Sequence, residues 1–468
     1  MRARDTTVSP TTAPSPDRPT DVLVVGAGLA GLPVAWELAR RGATVRIVDR
    51  GEPGAGTSRV AAGMLAPVLE TEPDDPEHLA VGRAGLGRWP AFAAALAGES
   101  GIDVALHEAG TLAIARDRDE AEALVRFQAV CARFGLPVER VLPSAARRLE
   151  PALAPTLRGA LSVPGDLAVD PRVVTAALVR AANARGVAFV RGAVARLLVD
   201  GDLGEGGEGA SGAGRAGRSP DAVARHAPRA TGVELADGTV LRAGDVVLAT
   251  GAHPVPGVPV SARVPVRPVK GQLLVLRDPT GPGLVARVLR FGAGYLVPRD
   301  DGRYVLGATT EERGFDVATT AWALHDLLRD GAELVPGILD LEVEETLAGL
   351  RPTTPDALPA IGPAAGVEGL WWATGHHRNG VLLAPLTGEL VADALGGRSG
   401  PTGPEAEARS APIPSLARLR SLVAPERFTR SSRAPWPATT GAGDPDPSAT
   451  RGPAAAADPS TTPEPHRA

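Results

Sequence analysis

The chain contains 468 residues, of which 44% are hydrophobic and 22% are charged, and its formal net charge is −5. At roughly 150 residues per domain these values predict two or three folded units, and they give no electrostatic basis for binding nucleic acid. The single cysteine, Cys131, excludes an internal disulfide and a cysteine-based metal site, and it favours a reducing compartment. The sequence lacks an apolar run of about 18 residues and an N-terminal signal core, so we expect no membrane span and a cytoplasmic location.

Three segments have the composition of disordered chain. Residues 1–20 and 400–468 are rich in Pro, Thr and Ala, and residues 201–230 are rich in Gly. Such segments lack the apolar residues needed to form a core, so we predict two disordered tails and one flexible loop. A single weakly amphipathic turn at 415–423 interrupts the second tail. The folded part is therefore predicted to span residues 21–399.

The predicted elements begin with a βαβ unit. A β-branched run at 22–25 is followed by a helical spacing of apolar residues at 32–41 and by a second strand at 44–48. Two strands joined through a helix within about 30 residues are typical of a parallel sheet. This unit predicts the start of a doubly wound domain.

The later elements indicate a second kind of sheet. Strands are predicted at 187–190, 194–199, 232–235 and 245–249, and a helix is predicted at 318–334. Residues 264–276, 285–298 and 303–309 alternate between apolar and polar, as antiparallel strands do. We predict an α/β, Rossmann-like domain interleaved with an α+β domain that has a mixed or antiparallel sheet.

A dinucleotide-binding motif lies at the first predicted turn. Gly26, Gly28 and Gly31 follow the first strand and open the helix, and Asp49 ends the second strand. The first glycine permits the tight turn, the second lets a pyrophosphate approach the backbone, and the third lets the helix pack on the strand. The helix N-terminus favours the phosphates, and the acid is placed to bind ribose hydroxyls.

This motif alone does not separate FAD from NAD. The small residues at 56–67 follow Asp49 closely and would let backbone line an extended, flat cofactor, which favours FAD.

At this point the sequence resembles the D-amino-acid-oxidase-type FAD-dependent oxidoreductases, and among them the glycine oxidases of thiamine biosynthesis. The resemblance covers about residues 21–395. It rests on DVLVVGAGLAGLPVAWELARRG, AAGMLAP, GIDV with GTLAIA, VRPVKGQLLVL, GYLVPRDDGRYVLGATTEERGFD, AGLRPTTPDALPAIGP and ATGHHRNGVLLAPLTGELVADAL.

The resemblance implies a division of the chain between two interleaved domains. An FAD-binding domain would comprise 21–97, 165–258 and 349–399, with the flexible loop 201–230 inside it. A substrate-binding domain would comprise 98–164 and 259–348.

The resemblance also implies non-covalent FAD, because the chain has no cysteine after Cys131 for the linkage that some relatives use. The residues placed at the cofactor, together with those of the glycine motif, are Gly26, Gly28, Leu29, Ala30, Gly31, Asp49, Arg50, Thr57, Ser58, Ala62, Gly63, Met64, Val194, Gly375, His376, His377, Arg378, Asn379, Gly380, Val381 and Leu382. The helix after this last group would place its positive N-terminus by the flavin ring.

Four residues are implied at the substrate: Arg351, Arg378, Tyr295 and Met64. A guanidinium matches the carboxylate of an amino acid with two parallel hydrogen bonds, which fixes orientation as well as charge. Arg351 is the first candidate for this carboxylate contact. Arg378 either contacts the substrate or only caps the following helix and forms an ion pair nearby. A tyrosine hydroxyl with a pKa near 10 is a poor base, so Tyr295 is assigned to binding.

Other residues of rare types are interpreted as structural and not as part of the reaction. Lys270, the only lysine, is interpreted as solvated and without a catalytic role, and Tyr304 as a buried strand residue. Cys131 is interpreted as a half-buried helix residue. His376 and His377 are not at the ligand spacing of a metal site, so no metal is expected.

The implied reaction is oxidation of glycine, and of small amines such as sarcosine or D-alanine, by hydride transfer to flavin N5. Oxygen would be reduced to peroxide, and glyoxylate with ammonia would be released, or the imine would enter thiazole synthesis. Two alternatives stay open: a D-amino-acid or sarcosine dehydrogenase with another electron acceptor, and a non-catalytic flavin-binding module. The sequence leaves the oligomeric state open, a homo-oligomer included.

Overall fold

A computed structural model of the protein describes residues 20–70, 75–200, 227–292, 294–396 and 414–430. The predicted tail at 1–20 lies outside these ranges except for its last residue. The predicted loop at 201–230 lies outside them as far as residue 226.

The strands, in chain order, match most of the predicted ones to within a few residues. They are β1 (Val22–Val25), β2 (Val45–Asp49), β3 (Met64–Leu65), β4 (Thr111–Ala115), β5 (Glu139–Val141), β6 (Gly159–Val163), β7 (Leu167–Ala168), β8 (Ala188–Arg191), β9 (Val194–Asp200), β10 (Arg229–Leu235), β11 (Val240–Arg242), β12 (Asp245–Leu248), β13 (Arg267–Arg277), β14 (Val288–Phe291), β15 (Gly294–Pro298), β16 (Arg303–Gly307), β17 (Glu342–Thr353), β18 (Ala360–Pro363) and β19 (Leu370–Thr374).

The helices include the two that the sequence predicts at the start and before β17. They are α1 (Gly31–Arg40), α2 (Thr57–Val60), α3 (Pro76–Leu86), α4 (Trp89–Ser100), α5 (Arg118–Arg133), α6 (Pro143–Leu149), α7 (Pro171–Ala184), α8 (Ala321–Leu334), α9 (Ala384–Gly396), α10 (Leu416–Val423) and α11 (Arg427–Arg430). Short 3₁₀ turns lie at Val260–Ala262 and Pro336–Asp340.

A six-stranded sheet has the order β18-β19-β12-β1-β2-β8, and only β18 at its edge is antiparallel. Its central strand is buried on both faces, as a continuous apolar run in a parallel sheet requires. Val24 packs with α1, α7 and α9 on one face. Leu23 and Val25 pack on the other face with Leu197 and Val233 of a three-stranded sheet, order β11-β10-β9. The predicted α/β part is therefore confirmed.

The second large sheet has eight strands in the order β17-β13-β16-β15-β14-β4-β6-β5. All its neighbours pair antiparallel except β14 and β4, so it is mixed, as predicted. Leu274 and Leu306 pack under α8, whereas Leu273 and Tyr295 lie on the opposite face. Because strand side chains alternate, this second face is free to form a wall of the cavity described below.

Strands of the parallel sheet come from the segments predicted to bind FAD. Strands of the eight-stranded sheet come from the predicted substrate segments, except that β17 crosses the boundary at residue 348. All of them belong to one compact unit, so the domain boundaries themselves stay predictions.

The amphipathic turn predicted at 415–423 is present as α10, and the ordered segment around it extends over residues 414–430, where the prediction of a disordered tail is wrong; the rest of the predicted tail at 400–468 lies outside the described residues. Ser415 caps α10 by accepting a hydrogen bond from the Arg418 backbone N–H (3.3 Å). Leu419 and Val423 are buried in the same core as α1 and α9. The weak amphipathic pattern of this helix is therefore a docking face, which the surrounding polar composition conceals.

No helix among the described residues is long and apolar enough to cross a membrane.

Candidate active site

A cavity of about 570 Å³ lies between the two large sheets. One wall is formed by the carboxyl ends of β1, β2, β12 and β19, where ligands bind in open parallel sheets. The other wall is formed by residues of β13, β14, β15 and β17. Most of the predicted site residues line it: Gly26, Gly28, Leu29, Ala30, Asp49, Arg50, Thr57, Ser58, Ala62, Gly63, Met64, Val194, Tyr295, Arg351, His376, His377, Arg378, Gly380 and Val381.

The predicted cofactor residues Gly31, Gly375, Asn379 and Leu382 lie outside the cavity wall. A Cβ on Gly31 would lie 2.0 Å from the Gly26 carbonyl oxygen, so this glycine serves helix packing, as its motif position predicts. Gly375 has φ +76° and turns the chain after β19. The Leu382 carbonyl accepts a hydrogen bond from Nε1 of buried Trp89 (3.0 Å).

The glycine turn leaves room for a ligand at one position. Gly26 has φ +108°, and a Cβ there would lie 2.4 Å from the Ala249 carbonyl oxygen. A Cβ on Gly28 would approach only Ser58 Oγ, at 3.1 Å, and this hydroxyl accepts a hydrogen bond from the Leu29 backbone N–H (3.0 Å). Backbone at Gly28 therefore borders the cavity without a side chain in between, which suits a pyrophosphate.

Asp49 is tied to the glycine turn. Its Oδ2 accepts a hydrogen bond from the Ala27 N–H (2.7 Å), and its Oδ1 accepts one from the Gly51 N–H (2.9 Å). A carboxylate oxygen has two acceptor positions, so each can also accept a ribose hydroxyl. The carboxylate is thus oriented before a ligand arrives.

The small-residue segment after α2 is held from both sides. Thr57 Oγ1 donates to the Leu350 carbonyl (2.9 Å). Gly63 has φ +81°, and a Cβ there would lie 1.9 Å from the Val169 carbonyl oxygen. The buried Arg299 donates to the Ala62 carbonyl. These contacts fix Ala62–Met64 as backbone lining, and with the glycine turn and Asp49 they fit an extended dinucleotide.

Arg351 lies at the other end of the cavity wall, on β17. Its Nη1 donates to the backbone carbonyls of Thr309 (3.0 Å) and Lys270 (3.3 Å), and it forms no ion pair with a described carboxylate. Burial lowers the pKa of its guanidinium, and the nearby charge of Arg378 adds to this. A protonated guanidinium whose remaining N–H groups have no described acid partner can accept an anion such as a carboxylate.

The space for this guanidinium comes from Gly271 on the neighbouring strand. A Cβ there would lie 2.4 Å from Arg351 Nη2 and 2.6 Å from Cζ. The planar group therefore lies directly over the glycine backbone of β13. Sequence analysis missed Gly271, although a glycine inside a strand pattern indicates a close approach of this kind.

Tyr295 is buried on β15, and its ring covers Gly307, where a Cβ would lie 2.7 Å from the hydroxyl. Burial raises the pKa of Tyr295, so its hydroxyl stays protonated at neutral pH. Met64 packs against the apolar cluster that contains Tyr295. The pair can position a small substrate, and the tyrosine cannot serve as a base.

The two histidines after β19 are neutral. Burial lowers the pKa of His376 to about 4, and its Nε2 lies 2.9 Å from Thr387 Oγ1 on α9. Burial, with the charges of Arg378 and Arg351, lowers the pKa of His377 to about 3, and its Nδ1 lies 2.8 Å from Thr353 Oγ1. The interpretation as a hydrogen-bonded loop pair agrees with these contacts.

Arg378 points toward an acid that sequence analysis missed. Its Nη1 lies 3.9 Å from Glu70 Oε2, and Glu70 Oε1 lies 3.1 Å from Arg290 Nη1. Glu70 is only 6% exposed and lines the cavity together with Arg290. No motif marks either residue, because their strands and loops are far apart in sequence.

The structure also places Lys270, Tyr304 and Cys131, which belong to residue types that are rare in this sequence. Lys270 is fully buried, so its interpretation as solvated is wrong: its ammonium pairs with Asp316 Oδ2 at 2.7 Å. Tyr304 is buried, as expected, and its hydroxyl accepts hydrogen bonds from the backbone of Gly283 and Leu284. Cys131 lies on α5, as expected, but it is buried and not half-buried.

A family model, sequence relatives and a solved structure all relate this chain to the same family. The family model described as DAO, FAD dependent oxidoreductase, matches residues 21–394. A glycine oxidase of Geobacillus kaustophilus is 35% identical over 80% of this chain and 92% of its own length. The bifunctional protein ThiO/ThiG of Trichormus variabilis is 32% identical over 80% of this chain and 52% of its own length. The crystal structure of glycine oxidase from Geobacillus kaustophilus superimposes with a TM-score of 0.70 at 31% identity, covering 84% of this chain and 99% of that one.

Proposed function

The chain belongs to the DAO family of FAD-dependent oxidoreductases, and we propose that it oxidises glycine, and small amines such as sarcosine or D-alanine, to the corresponding imine. The observation that carries this proposal is Arg351, an arginine without a described acid partner in a cavity whose other end is built for a dinucleotide. Similarity to glycine oxidases and to ThiO/ThiG supports glycine as substrate and thiazole synthesis as the destination of the product.

FAD, when bound, would supply the acceptor for the hydride of the substrate α-carbon and the reactivity with oxygen. Gly28 backbone, Asp49 and the Ala62–Met64 segment would hold it. The neutral His376 and the turn that leads into α9 would border it on the opposite side.

Substrate orientation is assigned to Arg351. Its Nη1 is used by two carbonyls, so its other N–H donors are available for a substrate carboxylate. Tyr295 and Met64 would limit the space beside the α-carbon. These contacts act by positioning, which supplies much of the rate where a bound cofactor carries the chemistry.

The proposal requires no protein base. The substrate amine would react in its neutral form, since its lone pair assists departure of the hydride. Tyr295 has a raised pKa and would stay protonated. The imine would hydrolyse to glyoxylate and ammonia or pass to thiazole synthesis. A cytoplasmic location, supported by the lone cysteine, belongs to the same proposal.

Anaerobic reduction of the bound flavin tests this proposal. Glycine, sarcosine and D-alanine are added separately to the holoprotein, flavin absorbance is recorded, and oxygen uptake is then measured in air. Glycine should bleach the flavin, and Arg351→Ala should raise the glycine KM by about 100-fold or more while FAD stays bound. Arg351→Lys should recover only part of the loss, because an ammonium cannot form the two parallel bonds.

The other outcomes identify the alternatives. A yellow protein that no amine bleaches would be a flavin-binding module. Bleaching without oxygen uptake would indicate a dehydrogenase with another acceptor. Glycine turnover in Arg351→Ala equal to that of the unmutated protein would overturn the substrate assignment.

A further inference from the structure

Residues 309–320, here called the strap, connect β16 to α8 and contact three residues of the cavity wall. The Thr309 carbonyl accepts a hydrogen bond from Arg351 Nη1 (3.0 Å), and Thr310 Oγ1 accepts one from Arg378 Nη2 (3.4 Å). Further along the strap, the ring of Phe315 stacks on His253 with centroids 5.1 Å apart and planes at 26°. The strap therefore touches both the substrate end of the cavity and the loop after β12.

Buried polar side chains fix the shape of the strap. Gln272, fully buried on β13, joins its two ends: Nε2 donates to Glu311 Oε1 (2.8 Å), and Oε1 accepts from the Thr320 N–H (2.7 Å). Lys270, two residues earlier, holds Asp316 at 2.7 Å, next to Phe315 in the chain. Asp316 Oδ1 also accepts from the Ala318 N–H (2.9 Å). A buried lysine is retained only when it is well paired, so this ion pair has a positional role.

The stack on His253 leads to an arginine of the cavity wall. His253 Nε2 lies 2.9 Å from Arg50 Nη2, and both residues line the cavity. Burial, together with the charge of Arg50, lowers the pKa of His253, so the ring is neutral and its Nε2 accepts the arginine hydrogen bond. Arg50 follows Asp49, which is the predicted ribose-binding acid.

Phe315 is 49% exposed, so one face of its ring is in solvent while the other lies against His253. The stacking of this second face on His253 fixes the plane of the imidazole. Because the stacked imidazole keeps its Nε2 directed at Arg50, the stack favours one orientation of the guanidinium.

We propose that the strap helps to retain FAD: Lys270 fixes Asp316, the adjacent Phe315 covers His253, and His253 holds Arg50 toward the anionic part of the dinucleotide. This inference rests on the proposed function, because it takes the cavity to bind FAD. It assigns positioning roles to Lys270, Phe315 and His253, and Arg50 alone would contact the cofactor.

Affinity for FAD tests the proposal directly. Apoprotein is titrated with FAD, and the dissociation constant is obtained from quenching of flavin fluorescence. Phe315→Ala should raise the dissociation constant about two- to tenfold, the range expected for losing one aromatic stack. Lys270→Met should raise it to a similar extent. Val317→Ala, in the same strap with a 55% exposed side chain, should leave it unchanged and serves as the matched control.

Double variants separate this pathway from a general loosening of the loop. Because Phe315 acts through His253, the variant Phe315→Ala/His253→Ala should bind FAD no more weakly than the weaker single variant. Additive losses, or a Phe315→Ala constant equal to that of Val317→Ala, would overturn the proposal. If Lys270→Met does not fold, the double-mutant cycle of Phe315 and His253 tests the proposal without it.

The same samples distinguish this inference from the proposed function. If glycine fails to reduce the FAD-bound protein anaerobically, the proposed function fails, while the affinities of the variants still decide the role of the strap. A protein that binds no FAD would overturn both.

Discussion

The end of the cavity that we propose binds substrate depends on one glycine as much as on one arginine. Arg351 has a guanidinium that lies over the backbone of Gly271, where any β-carbon would come within 2.4 Å of Nη2. The terminal atoms of an arginine side chain can move aside at little cost to the fold. A substitution at Gly271 is therefore expected to displace the guanidinium and to leave the sheet intact.

We predict that Gly271→Ala raises the KM for glycine about 10- to 100-fold, the equivalent of losing one or two charge-assisted hydrogen bonds. Steady-state kinetics and a thermal melt of the same sample measure this. Gly159→Ala, in the same sheet with open space around the new methyl group, is the control and should keep the original KM. A Gly271→Ala enzyme with unchanged KM would show that the guanidinium does not bind substrate.

A buried acid lies behind the cavity wall. Asp166 is 1% exposed, and its Oδ2 has no hydrogen-bond partner among the described residues. Burial raises the pKa of Asp166 from 3.8 to about 8, and the negative charge of Glu70 adds to the shift. The folded state therefore keeps a proton that the unfolded chain loses above pH 3.8.

Because the folded pKa is raised, the stability linked to Asp166 is present below pH 3.8 and is lost as pH rises to about 8. Asp166→Asn is neutral at every pH, so its melting temperature relative to the unmutated protein should increase between about pH 5 and pH 8. The exposed Glu108→Gln is the control, for which no such increase is expected. If the difference in melting temperature between Asp166→Asn and the unmutated protein were the same at about pH 5 and at about pH 8, Asp166 would not be protonated in the folded state.

At the scale of elements, α10 shows how a short helix can be fixed by its contacts with the rest of the fold. Leu419 and Val423 are buried against the main core. Arg420 pairs with Asp393 of α9 at 3.2 Å, and after the helix Arg427 of α11 pairs with Asp356 at 2.6 Å. Isolated helices of this length are unstable in water, so tertiary contacts supply its stability.

We expect Leu419→Ala to lower the free energy of unfolding by about 2–4 kcal/mol, the cost of a cavity in a packed core. Urea denaturation of the apoprotein measures the change. Ser421→Ala, on the exposed side of the same helix, should change it by less than about 0.5 kcal/mol. A Leu419→Ala midpoint equal to that of Ser421→Ala would mean that α10 does not dock in solution.

At the scale of the whole molecule, the cavity between the two large sheets joins parts of the chain that are far apart in sequence. Its walls come from strands at both ends of the chain, from β1 to β19. A ligand that contacts both sheets binds only the folded protein and therefore stabilises it by mass action.

We predict that FAD raises the melting temperature of the apoprotein by several degrees. A ligand at 100 times its dissociation constant contributes about 2.7 kcal/mol. NAD at the same concentration should have no effect, because the chain belongs to a family of FAD-dependent enzymes and the Ala62–Met64 backbone lines a site for an extended flavin dinucleotide. Differential scanning fluorimetry with both ligands measures this, and an equal shift with NAD would contradict the FAD assignment.

The sequence by itself determined the local part of this protein. The turn at Gly26, Gly28 and Gly31, the helix after it and Asp49 were predictable, because the residues that make this geometry lie within one βαβ unit. The two kinds of sheet were predictable for the same reason, since strand patterning is read over a few residues. Resemblance to a family added Arg351, Tyr295 and the turn at His376, and their presence in one cavity agrees with it.

Only the tertiary structure decided which distant residues meet. The guanidinium of Arg351 lies over Gly271, Glu70 lies between Arg290 and Arg378, and His253 connects Arg50 to Phe315. The ion pair of buried Lys270 with Asp316 and the docking of helix α10 are likewise contacts between distant segments. Each contact joins segments that are far apart in the chain, so its energy depends on the register and packing of complete elements. Neither segment by itself shows which partner it meets, even where its own pattern is visible, as in α10.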